Sequence, residues 1–508
     1  MKNKLSLIAI ASAATLLQVS AFAADEADIQ KAIDYVKKHE NEGSVKPNGF
    51  GLISADGDRS INLIGLVHFD TRNIDNGLSD SNDKDSASGA SNYEVRRARI
   101  GFNGSLAKDL DYEILTNLVG SNANLIHRAY INYGYNKSAQ VRVGRFKQPF
   151  SLEEMTSANA TDFQERSYGN QLVASHRLGA MLFGEPTKGF TYAVSSYQDG
   201  FNELSNTTNS GTLGIGRVTF NFAELNGLSN AVLHLGFASD KGRYEITPAT
   251  STDTGSTSAS TTQYTRATVL SFRTEDRGMA NAYRAQIAGD VTGASFAGYG
   301  VQANNVASVK KDLQGIELAL ASGPFKFQSE YFDASYNASA QSCAFGTTTC
   351  YDSSLNVSAR TNYYELIYNL TGENWANSYK SGAFTTIKPL ANFSSSSSGG
   401  WGAWQIGVRF SNYSVTEPTW STARTNVAGS VSTGKSAVLG NSNFSRGENS
   451  ESGNTTTLGI NWILNPNARV IFNYALTKFD RPVTYISTSS LGSTSEEKVF
   501  SVRTQINF

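Results

Sequence analysis

Of 508 residues only nine are proline, five are histidine and two are cysteine. So few prolines leave no Pro-rich linker, and a chain long enough for several domains shows no seam between them. After the N-terminal segment, nothing approaches the ~18 consecutive apolar residues that a membrane-crossing helix requires. Insertion into a bilayer would therefore have to be as a closed barrel of strands. Charge of one sign is lacking too: 43 Lys and Arg stand against 44 Asp and Glu, and a net charge of -1 gives no basis for a nucleic-acid partner. His39, His68, His127, His176 and His234 are scattered without metal-ligand spacing. There is also no Gly-x-Ser-x-Gly elbow. An enzyme, a metal site or a resident cofactor finds no support in these residues.

What is present begins with an export signal. Lys2 and Lys4 precede an apolar run from Leu5 to Val19, and Ala21-Phe22-Ala23 suits cleavage before Ala24, so residues 1–23 read as a signal peptide. Residues 24–59 read as a periplasmic helix and spacer. Ile29, Ile33 and Val36 form one stripe within Asp25–Glu42, short enough that a trimerising coiled coil and a barrel-docked helix both stay open. In an exported chain the closely spaced Cys343 and Cys350 predict a disulfide stapling a loop.

From residue 60 onward the apolar side chains recur at every second position. This is the pattern of strands with lipid on one side and water on the other. With 45 Gly, 23 Tyr and 27 Phe, the composition suits tight turns and aromatic girdles, and a mean hydropathy of -0.32 reflects lumen and loops diluting the lipid face. Sixteen strands can be placed, from Ser60–Arg72 to Lys498–Phe508, with Tyr264–Phe272 and Tyr283–Val301 leaving eighteen open. Connections alternate between short ones, such as 186–187 and 466–467, and long ones, such as 151–176, 241–311 and 415–455. The exception is Gly372–Trp401, long where a short turn is expected. The last strand ends on Phe508 and resembles the terminal signal that the barrel-assembly machinery recognises. The expected fold is all-β: a transmembrane antiparallel β-barrel over residues 60–508. It would sit among outer-membrane lipid and lipopolysaccharide, with both termini periplasmic.

Alternation also assigns side chains to the lumen. Opposite the lipid face of Ala98, Ile100 and Phe102, Arg97 and Arg99 turn inward; Arg128, Arg142, Arg217, Arg409, Arg469 and Arg503 follow by the same parity. They outnumber the inward carboxylates Glu113, Glu317, Glu330 and Glu365, so the lumen should be net positive. Guanidinium groups stay charged and can pass an oxyanion along, although the same groups could equally brace the wall. Arg96 has lipid-face parity and requires a strand end or a bulge.

Several runs resemble the phosphate-selective porin O and P family: Val95–Phe102, Val143–Glu153, Tyr363–Glu373, Thr386–Leu390 and Gly402–Trp404. The resemblance implies a trimeric sixteen-stranded porin in which inward loops and a ladder of arginines lead small anions, phosphate or polyphosphate among them, to a narrow zone. Arg96 and Arg97 fall on paired arginines beside the constriction of phosphate-binding members. Those members carry a lysine where this chain has Glu154, an arginine where it has Leu66 and an acid where it has His127. Glu154 is expected to repel phosphate locally. By the same resemblance, residues 151–176 are the constriction loop. Its Glu153, Glu154, Asp162 and Glu165, with Arg166 as the one base before His176, are expected to set a transverse field against the arginine wall. A general, weakly selective porin and a non-conducting adhesin or scaffold are the alternative readings.

Overall fold

Strict alternation leaves each strand with one apolar and one polar face, and a sheet of such strands satisfies its edges in a bilayer only by closing. The computed structural model describes residues 51–508 apart from 55–56, 77–89, 120–124, 200–210, 247–248, 253–262, 280–281, 290–306, 344–349, 396–398, 417, 426–449 and 487–490. The signal peptide and the helix expected over Asp25–Glu42 lie outside the described residues.

The wall is a closed sheet of sixteen antiparallel strands. They are β1 Ser60–Asp75, β2 Ala90–Ala107, β3 Leu110–Asn117, β4 Ile126–Asn136, β5 Ala139–Lys147, β6 His176–Thr187, β7 Phe190–Asp199 and β8 Gly211–Asn221. The second half comprises β9 Ala231–Ile246, β10 Ala307–Ser322, β11 Phe325–Cys343, β12 Cys350–Asn369, β13 Ala403–Val415, β14 Ser452–Asn465, β15 Ala468–Ile486 and β16 Leu491–Asn507. Thr419–Thr425 continues β13 along the outer half of β12, and Gly51–Ile53 adds a short strand beside β1. Closure runs from Leu66↔Asn507 to Asp75↔Lys498 between β1 and β16. At this seam Gly65 and Phe508 exchange backbone hydrogen bonds of 2.9 and 3.1 Å. The terminal ring lies where a Gly65 side chain would be: a Cβ there would sit 2.1 Å from it.

The even count puts both described ends of the barrel domain at one rim, hereafter the terminal rim. The eighteen-strand alternative is corrected. Gln263–Phe272 and Tyr283–Gly289 are strands, but with Ala249–Thr252 they form a separate three-stranded sheet, with no pairing to the wall among the described residues. The anomalous connection at 372–401 also has a physical explanation. It turns back into the barrel from the terminal rim, burying Trp375, Phe384 and Ile387 in one cluster with Leu152, Phe163, Val232 and Ala319. The part of the lumen that this cluster occupies is thereby a packed core.

Candidate functional site

Two β-bulges prepare the open part of the lumen. Between β1 and β2, His68 pairs with Arg97 and Phe69 with Val95, so Arg96 is the extra residue. Between β3 and β4, Leu115 pairs with Arg128 and Thr116 with Ile126, so His127 is the extra residue. A bulge lets two consecutive side chains face the same side. Arg96 with Arg97, and His127 with Arg128, all line one lumenal cavity. The bulge that Arg96's parity required is thus in place.

The loop after β5 forms the opposite side of that cavity. Its short helix α1, Leu152–Met155, starts at Ser151, whose φ of 68° is unfavourable for a residue with a side chain. Glu330 of β11 holds this start, accepting from the Leu152 and Glu153 N–H groups at 2.9 and 2.7 Å and from the Ser151 hydroxyl at 3.2 Å. Phe163 then seats on Gly407 and Gly459, ladder partners of β13 and β14. A Cβ on Gly459 would come within 2.9 Å of its ring.

Acidic residues of the loop are neutralised one by one. Glu153 accepts from the Ser167 N–H and hydroxyl and pairs with Arg409 at 3.2 Å. Asp162 pairs with Lys326. Glu165 meets Arg96 at 2.9 Å, Arg503 at 2.8 Å and Arg72 at 3.4 Å. Glu154 is enclosed by Arg166 at 3.0 Å, the Asn170 amide and Ser175 hydroxyl at 2.7 Å each, and Lys147 at 4.0 Å. Burial by itself would raise the Glu154 pKa, but Arg166 and Lys147 outweigh it and hold the carboxyl below its ordinary range. Each of these acids, expected to face the arginine wall across the passage, is thus paired with a cation of the wall or of the loop itself. Glu154 in particular does not stand bare toward a passing anion.

A second inward turn comes from the far rim. Glu275 accepts from Arg409 at 2.9 Å, from the Tyr168 N–H at 2.9 Å and from the Ser411 hydroxyl. The turn it pins carries Arg273 and Arg277 to a cavity of about 170 Å³, and Arg277 has a φ of 63°. This cavity shares Arg96, Arg97 and Arg166 with the larger one, of about 560 Å³. Around the larger cavity six basic side chains, Arg96, Arg97, Arg99, Arg128, Lys147 and Arg166, face two acidic ones, Glu113 and Glu154, for a net side-chain charge of +4. Arg128 is matched by Glu113 at 2.8 Å. Arg97 meets only the His68 ring, at 3.2 Å, and Arg99 only the Asn117 amide oxygen, at 2.9 Å. Among the described residues neither makes an ion pair within 4.0 Å; Glu165 and Glu154 act on them only from farther off.

The arginines assigned by alternation therefore divide. Arg96, Arg97, Arg99 and Arg128 line the cavity. Five others do not, which corrects the expectation: inserted segments reach Arg217, Arg409, Arg469 and Arg503, whereas Arg142 is held by side chains of the wall itself. Arg217 forks onto Glu317 at 2.8 and 2.6 Å and holds the Gly382 carbonyl at 2.9 Å. Arg409 bridges two loops, Arg469 holds the Thr161 carbonyl at 2.8 Å, and Arg503 forks onto Asp70 at 2.7 Å twice. Arg142 folds over the Tyr130 and Phe183 rings, 4.3 and 4.8 Å from their centroids. Lys147, Arg273 and Arg277 were missed as lining cations. The polar run Arg273-Thr274-Glu275-Asp276-Arg277 between two strand-like pieces is the signal that marks the latter two as a turn.

A closed sixteen-stranded barrel with an apolar outer face and a cationic passage inside defines an outer-membrane porin, a channel and not an enzyme. Residues 61–508 match the family described as phosphate-selective porin O and P, and the chain belongs to that family. It is 25% identical over 398 residues to Porin O of Pseudomonas aeruginosa, covering 76% of each chain. Among solved structures it is similar to the anion-selective porin from Comamonas acidovorans, at 11% identity over 89% of this chain and 100% of that one, with a TM-score of 0.44. A loop-deletion mutant of OmpT of Vibrio cholerae shows 10% identity, the same coverages and a TM-score of 0.42.

Proposed function

We propose that the passage conducts small anions by passive diffusion, with weak to moderate preference over cations. The observation that carries this reading is the pair Arg97 and Arg99, turned into the passage with no ion pair within 4.0 Å among the described residues. An unneutralised guanidinium keeps its charge at every working pH and attracts an oxyanion while offering it several donors. Phosphate is admitted as one such anion but not held tightly. Leu66 and Glu154 stand where phosphate-binding members carry cations, and Glu154 takes up the charge of Arg166 and Lys147. Reversal potential across a planar bilayer in a tenfold KCl gradient tests the reading. A value on the chloride side supports it, whereas a potassium preference, or no conductance from heat-modifiable, folded protein, sinks it.

We further propose a homotrimer, with both termini periplasmic and the ends of β11 and β12 that pair Cys343 with Cys350 on the opposite, outer side. Strand β3 has eight residues, against 20 in β12. Tilted as barrel strands are, eight residues rise roughly 20 Å, short of the ~25 Å apolar band. A low wall of this kind is stable when neighbouring copies cover it. Cross-linking in native membranes that yields only monomers would count against it.

A further inference from the structure

Immediately beside Arg97 and Arg99 the lumenal wall turns apolar. Ladder pairing sets Leu66 of β1 against Arg99 of β2, Ile64 against Gly101, Gly101 against Leu115 of β3, and Leu115 against Arg128 of β4. All five side-chain-bearing residues line the same cavity. Strand parity confirms that the apolar ones face inward. Their neighbours Ile100, Phe102 and Ile114 are the lipid-exposed residues, while Leu66 and Leu115 are buried. Between Ile64 and Leu115 the intervening residue is Gly101, so nothing projects from the wall there; a Cβ would lie 2.0 Å from the Ile114 carbonyl oxygen. Ile64, Leu66 and Leu115 thus form one apolar patch across three adjacent strands, bordered by guanidinium groups.

A water-filled barrel normally carries polar groups on its inner face. An inorganic oxyanion is hydrated on all sides and gains nothing from an apolar wall, and displacing its water there without replacement hydrogen bonds costs affinity. A monoanion with a hydrocarbon body can place its charge on Arg97, Arg99 or Arg128 and its body on Ile64, Leu66 and Leu115. This is the usual division of labour in a small-molecule site, where apolar lining supplies affinity and a few polar groups fix orientation. Building on the anion-channel reading, we propose that the passage contains a binding station for small organic carboxylates, with Leu66 and Leu115 as its specificity-determining residues.

The test uses the full channel in planar bilayers at pH 7, with acetate, butanoate, hexanoate and inorganic phosphate added to KCl as blockers of chloride current. The half-blocking concentration should fall about two- to fourfold per added methylene, the range expected for partly to fully buried CH₂ groups. Phosphate should block more weakly than hexanoate. In Leu66→Asn and in the Leu66→Asn/Leu115→Asn pair the dependence on chain length should flatten, while Leu66→Met retains it. Retained heat-modifiable migration shows that the variants are folded. If an asparagine variant fails to fold, Leu66→Ala replaces it, with the same flattening expected in smaller measure. Equal block by all three carboxylates, tighter block by phosphate, or a chain-length series unchanged in the folded variants overturns the proposal. The KCl reversal potential without any organic acid is read in the same membranes. If it favours chloride while the series is flat, only the carboxylate station fails; if it favours potassium, the anion reading falls with it.

Discussion

Replacing Arg97 with alanine removes one of the cavity's six basic side chains and takes its net side-chain charge from +4 to +3. Since Arg97 makes no ion pair within 4.0 Å among the described residues, the substitution leaves no orphaned acid behind; besides the charge it removes only the hydrogen bond to the His68 ring. A unit charge about 5 Å from a passing ion is worth ~0.8 kcal/mol in a water-like dielectric, and ~0.5 kcal/mol after screening at about 0.1 M salt. That halves chloride entry, roughly, and doubles potassium entry, so the chloride-to-potassium permeability ratio should fall about fivefold. The assay is reversal potential in a KCl gradient, repeated at about 1 M salt, where the shorter Debye length should shrink the effect. Arg142→Ala is the internal contrast: that guanidinium lies over the Tyr130 and Phe183 rings and not in the cavity, so the ratio should hardly move. If both substitutions shift the potential equally, the selectivity belongs to the lumen as a whole and the division between lining and bracing arginines is wrong.

Three further outcomes follow from the packing and the titrating groups. Phe163→Ala empties the seat on Gly407 and Gly459 at a cost of about 3–5 kcal/mol of local packing. The loop should loosen, and single-channel recordings should show larger, noisier openings; unchanged conductance would mean that Glu330 and the ion pairs suffice. Asp276, in the inward turn, has its pKa pushed up to about 6 by burial, which outweighs the opposing pull of Arg72 and Arg409. A pKa raised on folding means that stability falls as pH rises between the ordinary value and the folded one. The turn should therefore be tightest below about pH 4 and loosen through pH 6, giving a conductance step over that window which Asp276→Asn abolishes; a step that persists in the variant assigns it elsewhere. Finally, the backbones of Cys343 and Cys350 are ladder partners at the far ends of β11 and β12. Non-reducing peptide mapping should find them linked, and reduction should leave the barrel's melting temperature almost unchanged, because the segment closed is short.

The strand count, the barrel and the position of most lumenal residues were legible because the two-residue period is a local property. Ile100 and Phe102 face lipid and Arg97 and Arg99 face water whatever else the chain does. Local too was the conflict at Arg96, whose parity was wrong for a charged side chain in lipid and which the β1–β2 bulge resolves. The corresponding bulge at His127 carried no such warning, since a histidine offends neither face as strongly.

Which arginines conduct and which brace could not be read from parity. Arg409 and Arg99 both alternate into the lumen, but one meets Glu153 and Glu275, from loops more than a hundred residues away in sequence, and the other meets a neutral amide. The fate of Glu154 is of the same kind. As a letter in a motif it reverses a charge, and in the folded chain Arg166, Lys147, Asn170 and Ser175 gather around it. By itself the sequence determined a closed barrel and a surplus of inward bases, because alternation needs only neighbours along the strand. Tertiary structure alone decided where that surplus remains unneutralised, because an ion pair depends on which loops fold inward and reach across the lumen.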